Sequence, residues 1–286
     1  MKTLSLVLSL TLMAVLPAPE AFSQKSDREA LPNAVFAFAN DGGTELLADL
    51  SEEPSEKIAV IKTFNKAICA DNKILDITFV KHQPRSEKDN GRQASRNFKN
   101  LAGDVFHVVH GKLNADDNCL LVSRNYLQSK RLVPVKTGGL TPEGFSARPA
   151  KCDGKTKSGL PHQQNRAPAG CWQLAQIGDN DRLLAVTYEP RKKNLLAALV
   201  LRIGDKYMVH EMPATANSVS AWREGDGGEF DPAVFAPLFA LQNKKDGSWE
   251  IGIVWSGEEG GNLSVYRSQG STLEEVVKGY RYWMAE

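Results

Sequence analysis

Short apolar runs rich in β-branched and aromatic residues, separated by polar and glycine-containing turns, recur along this chain, the pattern of short strands. Residues 34–39, apolar throughout, read as the first strand, Asn40-Asp41-Gly42-Gly43 supplies a strong turn signal, and 46–50 reads as a second strand. Residues 55–70 support two readings: Ile58, Ile61 and Ile68 fit a helical stripe, while the β-branched content fits a strand. Residues 74–80 alternate, 83–100 read as a charged, glycine-containing loop, and 132–135 adds a short strand. Residues 104–109 and 120–126 are expected to pair as a hairpin around a turn at 114–118.

The second half repeats the pattern more regularly. Runs at 172–177, 183–188, 195–203 and 207–212 are separated by short turns such as Gly204-Asp205, which predicts an antiparallel meander. Residues 249–255 and 263–267 predict a last hairpin. Ser271 with Glu274 has the spacing of a capping box and predicts a helix from Thr272. The expected fold is therefore mainly β, built of antiparallel meanders and hairpins, with one or two short helices. Sandwich, barrel and propeller all remain open. The irregular stretch 137–170 is the expected linker between an N-terminal β-rich part, 24–136, and a C-terminal β part, 171–286.

The first 23 residues read differently. Met1-Lys2, an apolar run at 4–16, Pro17 and Pro19, and the small residues Ala21 and Ser23 follow the order of a secretory signal. The apolar run has about 13 residues, short of the roughly 20 that span a bilayer. The mature protein is thus expected to begin near Gln24, soluble and outside the cytoplasm, with no membrane span of its own. Four cysteines in an exported chain predict two disulfides. Cys152 and Cys171 flank a loop with little else to hold it, and bridging them removes about 3 kcal/mol of unfolded-state entropy. The expected pairs are Cys69–Cys119 and Cys152–Cys171.

The net charge of +1 singles out no partner, but its distribution is uneven. Residues 81–157 hold 15 Lys and Arg against 7 Asp and Glu, while 223–286 hold 6 against 11. The basic residues lack the interleaved aromatics that stack bases, so nucleic acid is not an expected partner. No nucleophile elbow, zinc helix, phosphate loop or dinucleotide fingerprint occurs. His107 and His110, three apart on a strand, point to opposite faces and make a poor metal pair.

Two acidic glycine loops remain. Asp226, Glu229 and Asp231 lie in one and Glu258 and Glu259 in the other; calcium is the ion that Asp226, Glu229, Asp231 and Glu258 would suit. Glu229 and Glu259 are the candidates for paired-carboxylate hydrolysis of a glycan or peptide. No cofactor is otherwise implied. Trp222, Trp249, Trp255, Tyr280 and Tyr282 concentrate aromatic surface in the last quarter, as a binding face would. The leading expectation is an exported, non-enzymatic binding or accessory protein for a protein partner or an envelope glycan. An exported carboxylate hydrolase is the alternative.

Overall fold

Two sheets, each rolled around its own apolar interior, account for nearly all the strands of the computed structural model. It describes residues 34–48, 50–51, 58–137, 149–216, 230–257 and 259–283. The expected signal segment 1–23 and the candidates Trp222, Asp226, Glu229 and Glu258 lie outside the described residues.

The first sheet comprises β1 (Ala34–Ala39), β2 (Glu45–Ala48), β3 (Lys66–Cys69), β4 (Lys73–Gln83), β5 (Gly103–Val108) and β6 (Asn118–Val122). They close into a barrel in the order β1-β2-β5-β4-β3-β6, every pair antiparallel. Leu46, Phe106, Leu121 and Ile77 fill it. The ambiguous stretch contains both elements expected of it. A helical turn, α1 (Ile58–Ile61), brings Ile61 and Phe64 into the interior, and β3 follows.

The hairpin expected between 104–109 and 120–126 does not form. β5 lies between β2 and β4, and β6 between β1 and β3. The connecting loop is drawn across the barrel end by Leu113, which is buried in the core and donates its N–H to Gly43 O at 3.0 Å. Burying Leu113 thus carries the chain to the far side. Cys69 stands opposite Cys119 in the β3–β6 register, and their disulfide staples that seam.

The second sheet follows α2 (Arg124–Gln128), whose first turn is capped by Ser123. Its strands are β7 (Lys130–Val133), β8 (Val135–Thr137), β9 (Ala150–Lys151), β10 (Pro168–Ile177), β11 (Asp181–Tyr188), β12 (Asn194–Ile203), β13 (Lys206–Thr215), β14 (Phe235–Asn243), β15 (Trp249–Ser256), β16 (Gly260–Gln269) and β17 (Thr272–Tyr282). The order is β7-β14-β15-β16-β17-β13-β12-β11-β10-β8, with β9 on β10. The two ends, β7 and β8, are consecutive segments on either side of Pro134, so the chain brings the two edges of the sheet together. One core cluster draws Val133, Ile177, Leu183, Leu199, Met208, Ala240, Ile251, Tyr266 and Leu273 from nine of these strands. A single hydrogen-bonded sheet whose strands reach one interior curls around it, and we call this curled sheet the second barrel.

The expected C-terminal helix is instead β17. Gly270, at φ 59°, and Ser271 form the turn of a tight hairpin, with Gln269 opposite Thr272. The β-branched and aromatic residues that follow, among them Val277, Tyr280 and Tyr282, pair with β16, with Val276 at a bulge. A capping box needs a helix-forming sequence after it, and this sequence prefers a strand.

Leu120, Val122 and Ile68 on the outside of the first barrel pack on Leu238, Phe239, Val254 and Val265 of the second. Arg281 pins the same junction. Its buried guanidinium donates to Gln93 O at 2.6 Å, to Asp116 O at 2.8 Å and to the Asp116 carboxylate. The ring of Phe38 lies 4.2 Å beneath it. Behind β10 to β12, the segment carrying α3 (Gly154–Ser158) covers Leu184, Val186 and Val200, and Cys152–Cys171 fastens it. Among the described residues no helix is long and apolar enough to cross a membrane.

Candidate functional site

β13 and β17 form the only parallel pair among the described strands, and they share a single residue pair, Val209–Thr272. Beyond it the second barrel opens between them. At that opening His210 replaces a backbone contact: its Nδ1 donates to Leu273 O at 3.1 Å. A carbonyl only accepts, so Nδ1 carries the proton, and in the neutral ring Nε2 is left as an acceptor. The opening leads into a cavity of about 210 Å³.

Five strands line it. Phe235 and Ile253 are buried in the floor, from β14 and β15. Trp255, half-buried, forms a wall and stacks on Phe235 at 5.7 Å and 19°. The contact is one step of a ladder, since Phe235 meets Phe230 at 5.8 Å and Phe230 meets Trp172 at 6.0 Å. β16 sends Asn262, Ser264 and Tyr266 to the cavity, while Leu263 and Val265 between them pack toward the first barrel. Glu275 and Lys278 of β17 stand exposed at the rim, and His210 and Met212 of β13 face them.

The polar groups are linked. Ser264 Oγ donates to Glu275 Oε1 at 2.5 Å. His210 and Tyr266 rings lie 4.6 Å apart. Burial pushes the Tyr266 phenol up to about 12; the Ser264 hydroxyl works against that shift and the Glu275 charge adds to it. Tyr266 therefore stays protonated at neutral pH. The cavity thus offers hydroxyls, an amide, one carboxylate and one ammonium beside an aromatic wall.

The residues singled out in the sequence fall in several places. Trp255 is at the cavity. Trp249 is buried in the barrel core. Tyr280, 54% exposed, lines a separate cleft of about 250 Å³ between the barrels, beside Phe36, Leu50 and Arg281. Tyr282 is half-buried, its N–H bound to Gln93 Oε1 at 3.0 Å. Asp231 Oδ1 accepts from Ala233 N at 2.9 Å and caps a short 3-10 turn, Pro232–Val234. Glu259 is exposed, and its carbonyl accepts from Trp283 N at 2.7 Å. Among the described residues no three His, Cys, Asp or Glu gather as a metal site.

His210, Asn262, Ser264, Tyr266, Glu275 and Lys278 were not singled out as a group from the sequence. A signal for three of them exists: Asn262, Ser264 and Tyr266 put polar atoms on every second position, the parity a barrel reserves for its interior.

Two further polar clusters hold the fold. Glu250, buried, accepts from Tyr126 Oη at 2.5 Å, Lys130 Nζ at 2.8 Å and Arg267 Nε at 2.9 Å. Burial alone would raise its pKa, but these donors outweigh it and hold the carboxyl below the usual range. Across β4 and β5, His82 Nδ1 meets Asp104 Oδ1 at 2.9 Å, with Asp104 fully buried. No protein-family model, curated protein or solved structure matches the chain.

Proposed function

We propose that this chain is an exported, non-enzymatic binding protein that holds an envelope component or a partner protein at the open end of its second barrel. The observation that carries the reading is the cavity between β13 and β17, where one aromatic wall and a mixed polar rim converge from five strands. Concave sites with apolar walls and a few convergent polar groups are the usual form of ligand sites. The sequence carries no nucleophile elbow, zinc helix or phosphate loop, which supports holding over turnover. The N-terminal leader pattern and two disulfides support export to an oxidising compartment.

The test has two parts. Native mass spectrometry of the chain recovered from its producing cells should give a mature form starting near Gln24 with no free thiol; a full-length, fully alkylated form would remove export. Co-sedimentation with isolated envelopes should retain the wild type and lose Trp255→Ala. Equal retention of both would remove the cavity, and turnover of the retained material by the wild type would move the protein to the hydrolases.

A further inference from the structure

The cavity's chemistry discriminates between ligand classes. Backbone groups alternate in direction along a strand. Val209 N–H points to Ser271 O at 2.9 Å, so residues 211, 213 and 215 turn their backbone toward the opening. Pro213 stands in the middle of these three and has no N–H. Across the opening, β17 is bulged where its pairing steps from Val277 to Glu275. A peptide joining as an added strand needs a regular row of donors and acceptors. Neither edge provides one, so recognition falls to the side chains.

Those side chains balance one another. Glu275 and Lys278 carry opposite charges at the rim, which selects neither an anion nor a cation. Tyr266 offers a hydroxyl, Ser264, whose proton goes to Glu275, an acceptor oxygen, and Asn262 an amide that both donates and accepts. Hydroxyl groups on a ligand also both donate and accept, and they suit such a mixed set. The aromatic wall takes an apolar ring face: Trp255 is held by its stacking on Phe235. A pyranose combines the two features, with C–H groups on its face and hydroxyls around its edge. The volume of about 210 Å³ lies below the roughly 300–1,000 Å³ of drug-sized sites, so one ring enters and the rest of a chain stays outside.

We infer that the cavity is a saccharide subsite for one neutral pyranose unit of a glycan. The inference rests on the open end of the second barrel being the binding site, as proposed above.

The purified, disulfide-intact chain is titrated with chitotriose, cellotriose and maltotriose, with trigalacturonate, and with an extended Val-Thr hexapeptide, following tryptophan fluorescence and proton NMR. At least one neutral trisaccharide should saturate the protein. Its affinity should fall about tenfold in Trp255→Ala, the loss of one aromatic contact, and by a similar factor in Glu275→Gln. It should be unchanged at about 0.5 M salt, because no net charge is recognised. If Trp255→Ala does not fold, Glu275→Gln, on the exposed rim, decides.

Tighter binding of the peptide or the uronide overturns the inference, as does neutral-sugar binding that both variants leave intact. If no probe binds while envelopes retain the wild type and lose the Glu275→Gln variant, the saccharide class falls and the site stands. If envelopes retain wild type and variant alike, or neither, both fall.

Discussion

Removing the carboxylate of Glu250 should destabilise the protein by about 3–5 kcal/mol, the cost of leaving a buried charge without its partner. Glu250 is only 4% exposed, and the Lys130 side chain, 10% exposed, depends on it at 2.8 Å. In Glu250→Ala, Lys130 keeps its contact with the Tyr126 ring at 3.1 Å but loses its counter-charge, and Tyr126 Oη loses its acceptor. Arg267 adds little to the cost, because its side chain is 47% exposed and rehydrates. Glu250→Gln keeps the volume and one acceptor oxygen and should cost about 1.5–3 kcal/mol. Replacing the pair together, Glu250→Met with Lys130→Met, should recover most of the loss, since apolar side chains of similar size replace a buried ion pair at little cost.

The same carboxylate sets a pH dependence. Its folded pKa is lowered, so the unfolded chain binds the proton more readily in acid. The stability it contributes is complete above the ordinary carboxylate range and is lost as pH falls through the lowered folded value. Urea unfolding of the wild type and three variants at pH 7 and at about pH 3.5 reads both effects. A Glu250→Ala loss below about 1 kcal/mol, or a Glu250→Gln variant as acid-sensitive as the wild type, would refute the reasoning.

Three further outcomes follow from the geometry. Replacing Cys69 and Cys119 together opens a loop of 50 residues and should cost about 4 kcal/mol, against about 3 kcal/mol for the 19-residue loop of Cys152 and Cys171; urea midpoints in the reverse order would contradict the loop-entropy account. Gly43 sits at φ 65° with space for a Cβ denied by the Leu113 carbonyl oxygen, so Gly43→Asn, though tolerant of that φ, should lower the thermal midpoint as much as Gly43→Ala; rescue by Asn would show that φ alone matters. Arg281→Ala removes the buried clasp between the barrels and should split one unfolding transition into two in calorimetry, a single unchanged peak being the contrary result.

The strands are legible where short β-branched or aromatic runs are bounded by turn residues. The meander of β10 to β13 and the hairpin of β15 and β16 can be read from such runs and from turns such as Gly204-Asp205. β14 is harder to read because Phe235–Asn243 holds Pro237, a residue that argues against an interior strand. The Pro is accommodated at a bulge between Pro237 and Phe239. In β17 two residues, Ser271 and Glu274, carry a local helix signal that the longer strand pattern overrides. β5 and β6, though neighbours in sequence, do not pair because Leu113 carries the chain across the barrel end. Both disulfides were legible, since loop composition and spacing constrain them.

Most of the candidate site was hidden for a different reason. His210, Ser264 and Glu275 meet because β13 and β17 run parallel and then part. That pairing is a property of the whole sheet order, and no local window contains it. Only the alternation of Asn262, Ser264 and Tyr266 could have indicated a polar interior. Trp255 was legible as an aromatic, but what distinguishes it from Trp249 is depth in the barrel.

The most direct test of the binding site is site-specific photocrosslinking in the producing cells. A photoreactive side chain is placed at Asn262 in the cavity and, as a control, at Ile74 on the outside of the first barrel, 38% exposed. The account predicts one defined envelope adduct from position 262, abolished by Trp255→Ala, and none from position 74. The same adducts from both positions, or an adduct at 262 indifferent to Trp255, would contradict it.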